Sequence, residues 1–186
     1  NLGNALQELG RLKEAEQSYC QAIELKSDFA EAHFNLGNMF KEIGSLGDAE
    51  VRYKKATAIK PDYVEAYNNL GNALKELGRL DEAEANFMQA IALQPNFAEA
   101  HNNLGITLKE LGRSQEAESS FRQAIVLKPN FAEAFWNLSG CEKTVEGAEH
   151  WIDKTLKADA NHEIARLTKA ALRFYQGDRV DFDNLM

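Results

Sequence analysis

Apolar and small residues recur along this chain at helical spacing, and the pattern stops and restarts at regular intervals. In the segment 64–97 they stand three or four positions apart from Ala66 to Leu77, which predicts one amphipathic helix. Gly78 follows, and glycine is the residue that most easily adopts the left-handed conformation beyond a helix end. Residues Leu80 to Gln94 predict a second helix, which Pro95 ends. The segment is therefore predicted to form a helix, a tight turn and an antiparallel helix.

The same pattern returns every 34 residues, so the chain is an array of similar units. Seven columns keep this step, and in the segment 64–97 they are occupied by Leu70, Gly71, Gly78, Ala83, Phe87, Ala90 and Pro95. Small residues in the glycine and alanine columns let the helices approach closely, and the aromatic residue fills the space between them. We expect an all-α solenoid in which each unit buries its apolar face against its neighbours.

The columns also define the unit boundaries. Residues 1–29 form a truncated first unit, and residues 30–63, 64–97 and 98–131 form complete units. Residues 132–161 form a shortened fifth unit, whose predicted turn, Glu142 to Gly147, is three residues shorter than the earlier ones. Residues 162–186 are expected to hold a further helix, His162 to Gln176, and the start of an incomplete unit from Val180 to Met186.

At these columns the chain resembles the tetratricopeptide repeat (TPR) family, whose unit carries Leu-Gly, Ala-x3-Phe/Tyr-x2-Ala and a closing Pro. The likeness covers roughly residues 1–161. The chain is similar to the TPR arrays of O-linked N-acetylglucosamine transferases and of bacterial TPR proteins. The resemblance implies a right-handed superhelical solenoid of antiparallel helix pairs, whose first helices line a concave groove that binds other polypeptides. The family's usual Trp is replaced by His33, Tyr67, His101 and Phe135.

A column of asparagines is the first candidate site, because asparagine in mid-helix costs helix propensity relative to alanine. Its members are Asn35, Asn69, Asn103 and Asn137. An amide both donates and accepts hydrogen bonds, so a ladder of amides in the groove can bind the backbone of an extended peptide. The resemblance to the transferase arrays, which carry such a ladder for their protein substrates, points the same way. Alternatively, these asparagines bond neighbouring units and hold the stack.

Further candidates surround this column on the same helices. Asn38 and Asn72 lie one turn further on and would widen the polar strip. Glu65 and Glu99 lie one turn before it, either as an acidic rim that selects basic peptides or as first-turn charges that suit the helix dipole. Asn68 and Asn102 occupy groove positions at which family members that clamp acidic chaperone tails carry Lys or Arg, which disfavours acidic partners.

Composition and charge narrow the function further. The net charge of -8 disfavours nucleic acid and anionic membrane surfaces as partners. Unit 3 alone carries two basic and five acidic residues, so we expect neutral or basic peptides to be preferred there. No stretch is apolar enough to suggest a transmembrane helix, and only two cysteines are present, which favours a reducing, cytoplasmic location.

The sequence contains no recognisable catalytic, cofactor or metal motif, so we expect this fragment not to be an enzyme. Its leading function is a protein interaction module. Alternatively, it is the substrate-recruiting arm of a larger glycosyltransferase, sulfotransferase or methyltransferase whose catalytic domain lies outside residues 1–186. A third reading is a self-assembling scaffold, because Leu2, Ala5, Leu6 and Leu9 in the truncated first unit would leave an apolar end uncovered and favour end-to-end association.

Overall fold

The computed structural model describes residues 2–176, and every regular element in this range is an α-helix. Eleven helices follow one another in that part of the chain. They are α1 (Leu2–Glu8), α2 (Leu12–Leu25), α3 (Ala30–Glu42), α4 (Leu46–Ile59), α5 (Val64–Glu76), α6 (Leu80–Leu93), α7 (Ala98–Glu110), α8 (Ser114–Leu127), α9 (Ala132–Ser139), α10 (Val145–Ala158) and α11 (Glu163–Gln176).

The helices form pairs that stack in chain order. Each odd-numbered helix from α1 to α9 packs against the helix that follows it, and each even-numbered helix packs against the first helix of the next unit. The first helices α3, α5, α7 and α9 also contact one another in succession, whereas the second helices share no comparable contact. The first helices therefore form one continuous side of the solenoid. The all-α helical solenoid expected from the sequence is confirmed.

An aromatic ring seated against a glycine forms the centre of each complete unit. The rings of Tyr53, Phe87 and Phe121 are fully buried. A Cβ atom added to Gly71 would lie only 2.7 Å from the ring of Phe87, and the corresponding glycines of the neighbouring units are equally close to their rings. The glycine column thus exists because the second helix places a ring directly on the backbone of the first.

Glycine also ends the first helix of each complete unit. Gly78 has a φ of +75°, and the amide of Arg79 donates to the carbonyl of Leu74 at 2.9 Å. The Gly78 amide donates to the carbonyl of Lys75 at 2.8 Å, so the last turn closes as a Schellman motif. Gly44 and Gly112 adopt the same conformation. The tight turn predicted from the glycine column is therefore present.

The fifth unit departs from this plan. Its first helix, α9, ends at Ser139, and α10 begins at Val145, so the turn lies earlier than the predicted segment Glu142 to Gly147. Thr144 caps α10 by accepting a hydrogen bond from the Gly147 amide at 3.1 Å, which draws residues 145–147 into the helix. The predicted segment from Val180 to Met186 lies outside the described residues.

The first unit corrects one expectation about the apolar end. Leu2 and Leu9 are exposed, at 68% and 70% of their surface, and Ala5 is exposed as well. Leu6, however, is buried, because it packs with Ala15, Tyr19 and the following unit's helix α3. The uncovered apolar surface of the first unit is therefore smaller than the sequence suggested.

Candidate functional site

The asparagine column lies on the side formed by the first helices. Asn35, Asn69, Asn103 and Asn137 are carried by α3, α5, α7 and α9, one in each helix, and all four are half-buried. Because these helices contact one another in succession, the four side chains follow the length of the stack. We call this set the asparagine row.

Three members of the asparagine row donate a hydrogen bond to another asparagine, outside the row, on the preceding unit. The Nδ2 atom of Asn69 donates to Asn38 Oδ1 at 2.9 Å. In the same way Asn103 donates to Asn68 Oδ1, and Asn137 donates to Asn102 Oδ1, both at 3.0 Å. Three of the four amides thus connect adjacent units, as expected if the column holds the stack. Each nevertheless uses only one of its two N–H groups in these bonds.

The partner of each row amide depends on one neighbouring position. Units 3 and 4 carry Asn68 and Asn102 there, and these two side chains are only 7% and 5% exposed. They accept the bond from the next unit, so they support the row and offer little surface to a peptide. Unit 2 carries Phe34 at this position, and Asn69 therefore bonds to Asn38 instead.

The second polar column is fixed only where the facing ring has a hydroxyl group. Tyr53 donates its hydroxyl to Asn38 Oδ1 at 2.8 Å, and burial raises the pKa of this phenol well above its usual value. Asn72 stands opposite Phe87, which has no hydroxyl, and its amide makes no hydrogen bond within the described residues. Asn72 is half-buried on the same helix as Asn69.

The acidic column differs between units. Glu99 pairs with Lys128 at 2.8 Å, and this ammonium group lowers the pKa of the Glu99 carboxyl. Glu31 lies 3.9 Å from Lys60 in the equivalent pair of unit 2. In unit 3 the corresponding cation is replaced by Gln94, so Glu65 has no ion pair among the described residues.

A depression at the start of the array is lined by members of both asparagine columns. It encloses about 360 Å³ between the first helices of units 1 and 2. Its lining is polar and includes Asn4, Gln7, Tyr19, Asn35, Asn38 and Glu42. Two of these residues bridge the units, since Gln7 donates to Glu42 at 2.6 Å. The arrangement offers amide and carboxylate groups to a ligand and presents no nucleophile activated by a base.

Comparison with known proteins assigns the family. Sequence models described as TPR repeat match residues 3–44, 37–78 and 71–112, and a model described as tetratricopeptide repeat matches residues 98–131. The chain belongs to the tetratricopeptide repeat family. The matched ranges cover the asparagine row up to unit 4, and no curated protein sequence matches the chain significantly.

Solved TPR structures share the fold. The protein YrrB, described as having an unusual peptide-binding site, is 27% identical, with a TM-score of 0.74 over 91% of this chain and 89% of that one. PilF of Pseudomonas aeruginosa is 22% identical, with a TM-score of 0.86 over 99% and 85%. MamA is 23% identical, with a TM-score of 0.79 over 87% and 96%. The last two likenesses concern the fold alone.

Neither the two histidines of the first helices, His33 and His101, nor the two cysteines are fully exposed. His33 is buried, and Nε2 of His101 lies 2.9 Å from the carbonyl oxygen of Pro95. Cys20 and Cys141 are half-buried free thiols, and burial raises the pKa of Cys141. Within residues 2–176 no cluster of three potential metal ligands occurs, and no helix combines the length and apolarity needed to cross a membrane.

The sequence reasoning missed one cluster in the fifth unit. The rings of Phe135 and Trp151 stack at 5.9 Å between centroids, with 19° between their planes. The Lys154 ammonium lies 4.5 Å from the centre of the Trp151 ring. A usable signal was present, because α10 carries an aromatic residue and lysines where the preceding second helix has uncharged, non-aromatic residues.

Proposed function

We propose that this TPR array binds an extended polypeptide along its first helices, with the asparagine row as the element that contacts the peptide backbone. Membership of the TPR family supports a protein interaction module. The observation that carries the finer proposal is the regular, half-buried row of Asn35, Asn69, Asn103 and Asn137, one amide for each unit.

Inter-unit bonding prepares the row for binding. A hydrogen bond to the neighbouring unit fixes the orientation of Asn69 and Asn103, which lowers the entropy lost when a peptide binds. One N–H group of each amide is not used in that bond and remains available to a peptide carbonyl. Holding the stack and binding a peptide are therefore compatible roles. Asn72 and Asn38 extend the same polar surface, while Asn68 and Asn102 support it from below.

Charge supports a preference for neutral or basic peptides. Glu65 is exposed and has no cationic partner among the described residues, whereas Glu99 is neutralised by Lys128. Unit 3 is also the most acidic of the complete units. A lysine or arginine of the peptide would pair with Glu65. The likeness to YrrB, whose description names a peptide-binding site, favours the same class of ligand.

A peptide titration tests the proposal. The probe is a fluorescent 12-residue peptide of alanine and serine with two lysines, compared with the same peptide carrying two glutamates. We expect Asn69→Ala/Asn103→Ala to weaken binding of the lysine peptide by about 1–3 kcal/mol, because each hydrogen bond contributes about 0.5–1.5 kcal/mol. Glu65→Gln should reduce the preference for lysine over glutamate.

Urea unfolding of the same variants separates binding from stacking. Asn72→Ala is the matched control, since the side-chain amide of Asn72 makes no hydrogen bond within the described residues. Its loss should not lower the unfolding midpoint, and the higher helix propensity of alanine should raise it slightly. If Asn69→Ala/Asn103→Ala binds the peptide normally and only the unfolding midpoint falls, the row serves the stack alone. Equal affinity of both peptides for the parent chain would contradict the charge preference.

We further propose that the chain has no turnover of its own and works in the cytoplasm, either alone or as the recruiting arm of a larger enzyme. Activity that survives repurification and disappears on mutation of a groove residue would contradict the first point. The sequence encoded beyond Met186 distinguishes the second pair of alternatives, because a catalytic domain would be recognisable there.

Self-association is a second candidate function, and the exposure of Leu2 and Leu9 favours it. We propose contact between ends of neighbouring chains, driven by burial of these side chains. Light scattering over a wide concentration range should detect a rising mass, and Leu2→Glu/Leu9→Glu should abolish the rise. A constant monomeric mass in both proteins would remove this candidate.

A further inference from the structure

The fifth unit differs from the others on its second helix. When Ile152 is aligned with the aromatic column, Trp151 stands where unit 4 has a serine, Lys154 where it has a glutamine, and Lys157 where it has a valine. Phe135 on α9 stands where unit 4 has a histidine. Aromatic and basic residues have therefore replaced uncharged or smaller ones at four neighbouring positions.

These replacements pack as one cluster. The Lys154 ammonium lies 4.5 Å from the centre of the Trp151 ring and 5.8 Å from that of Phe135. The Arg122 guanidinium lies 5.5 Å from the Trp151 ring. Trp151 itself is oriented by Nε1, which donates to Glu142 Oε1 at 2.8 Å. The rings thus hold Lys154 in place without neutralising its charge.

A cavity of about 410 Å³ adjoins this cluster. It lies between the end of α8, the connection to α9 and the last turns of α10, away from the asparagine row. Ile125, Pro129 and Phe135 supply apolar lining, and Lys154 and Lys157 supply ammonium groups. An apolar cavity with a few convergent charged groups is the usual form of a ligand site.

The two lysines that line this cavity are not neutralised by a carboxylate at ion-pair distance within the described residues. Nine other lysines and arginines of the described range, such as Lys128 and Arg113, pair with carboxylates. Lys154 and Lys157 form no ion pair within residues 2–176. On a chain with a net charge of -8, two uncompensated ammonium groups beside apolar lining complement an anion that carries an apolar group.

We propose that this cavity is a second binding site of the array, which takes an acidic residue flanked by apolar residues from a protein partner. The partner's carboxylate lies between Lys154 and Lys157, and its apolar side chain contacts Phe135 and Pro129. This site is independent of peptide binding at the asparagine row, and its preference for acidic segments is opposite to that of the row. Two segments of different charge could therefore be held at once.

Tryptophan fluorescence tests the site in the full chain. Trp136→Phe leaves Trp151 as the sole tryptophan, and the probe is the blocked peptide acetyl-Gly-Phe-Asp-Leu-Gly-amide. We expect saturable binding, weakened at least tenfold in Lys154→Gln/Lys157→Gln and by added salt. The matched control is Lys13→Gln/Lys143→Gln, which removes the same charge at two exposed lysines elsewhere and should bind normally.

Three results would overturn the proposal. The first is equal affinity for the peptide with asparagine in place of aspartate, because the site then does not recognise an acid. The second is peptide binding that is unchanged in Lys154→Gln/Lys157→Gln, or that is not detected in the parent protein. The third is at least a tenfold gain of affinity in Asp178→Asn/Asp181→Asn/Asp183→Asn, which would assign the cavity to the chain's own acidic C-terminal segment instead of a partner.

Discussion

In the complete units, residues 30–131, a glycine of the first helix faces a buried ring of the second. Gly105 and Phe121 are one such pair, and a Cβ atom at Gly105 would lie 2.6 Å from the ring. In the fifth unit Ser139 and Ile152 occupy the same two positions, and both are buried. The larger residue on the first helix, serine in place of glycine, is therefore matched by a smaller side chain on the second helix, isoleucine in place of an aromatic ring.

The two regions show that these columns are not independent requirements. Glycine is needed only where an aromatic ring approaches the helix backbone, and it gives way to serine when that ring becomes a branched aliphatic side chain. The helix ends differ in a similar way. Gly112 ends α7 at a φ of +78°, whereas α9 ends with Gly140 in an ordinary helical conformation and α10 starts from the Thr144 cap.

The largest effect is expected when one member of a core pair is exchanged without the other. Gly105→Ser places a side chain on the Phe121 ring, and overpacking of this kind costs about 1–3 kcal/mol of unfolding free energy. Urea unfolding followed by circular dichroism at 222 nm measures the loss.

The second mutation of the pair sharpens this result. Gly105→Ser/Phe121→Ile reproduces the combination found in the fifth unit. The double variant should therefore lose less unfolding free energy than the sum of the losses in the two single variants. Ser139→Gly is the control in the fifth unit and should not raise the unfolding free energy, because Ile152 stands there in place of the aromatic ring. Simple additivity in unit 4 would mean that the two columns are not coupled.

The sequence predicted the helix pair of residues 64–97 closely, because every complete unit repeats the same pattern of glycine, aromatic residue and proline. Glycine and proline fix the helix ends to within one residue, as at Leu93, where the prediction extended to Gln94. The fifth unit was harder, because its turn lacks a left-handed glycine and depends on the Thr144 cap. A single threonine is a weak signal among many.

The candidate site was predictable only in part. Periodicity identifies which residues share the side of the first helices, but it does not reveal that Asn69 bonds to Asn38 while Asn103 bonds to Asn68. The different partner of Asn69 follows from Phe34, which precedes the row residue Asn35 and cannot accept a hydrogen bond. This effect can be recognised only when the packing of the neighbouring unit is known. The cavity beside Trp151 could not be predicted without the correct position of the turn between α9 and α10, because that turn sets which residues of α10 lie next to α9.

A moderate effect is expected at the helix caps. Thr144 accepts a hydrogen bond from the Gly147 amide, and loss of such a cap costs about 0.5–2 kcal/mol. Ser45 precedes α4 at the equivalent place but donates to Asp48 at 2.9 Å and caps no backbone amide. Thr144→Ala should therefore lower the unfolding free energy by about 1 kcal/mol, measured by urea unfolding.

Ser45→Ala is the matched control and should change the unfolding free energy by less than about 0.5 kcal/mol, as is usual for surface positions. Thr144→Ser keeps the hydroxyl and should retain most of the stability. If Ser45→Ala is as damaging as Thr144→Ala, the cap is not what distinguishes the start of α10.

The smallest effect concerns the column in which units 2 and 5 carry His33 and Phe135. Both side chains are buried, but only the histidine can titrate near neutral pH. Burial lowers the pKa of His33, the backbone of Ser27 acts in the opposite direction, and Arg52 and Lys55 lower the pKa further. The folded chain thus favours neutral imidazole, and the His33 Nδ1 atom has no hydrogen-bond partner within the described residues.

This shift fixes the sign of the pH dependence. Because the pKa of His33 is lower in the folded chain than the value of about 6.5 for an unfolded histidine, the unfolded state binds more protons in acid. The stabilising contribution is present above that value and is lost as the pH falls through it towards the folded pKa. We expect the urea midpoint to fall between pH 7.5 and pH 5.0, and to fall less in His33→Phe, which introduces the residue type of the fifth unit. Carboxylates titrate alike in both proteins, so the difference between the two midpoint shifts isolates His33; identical shifts would show that its protonation is not coupled to folding.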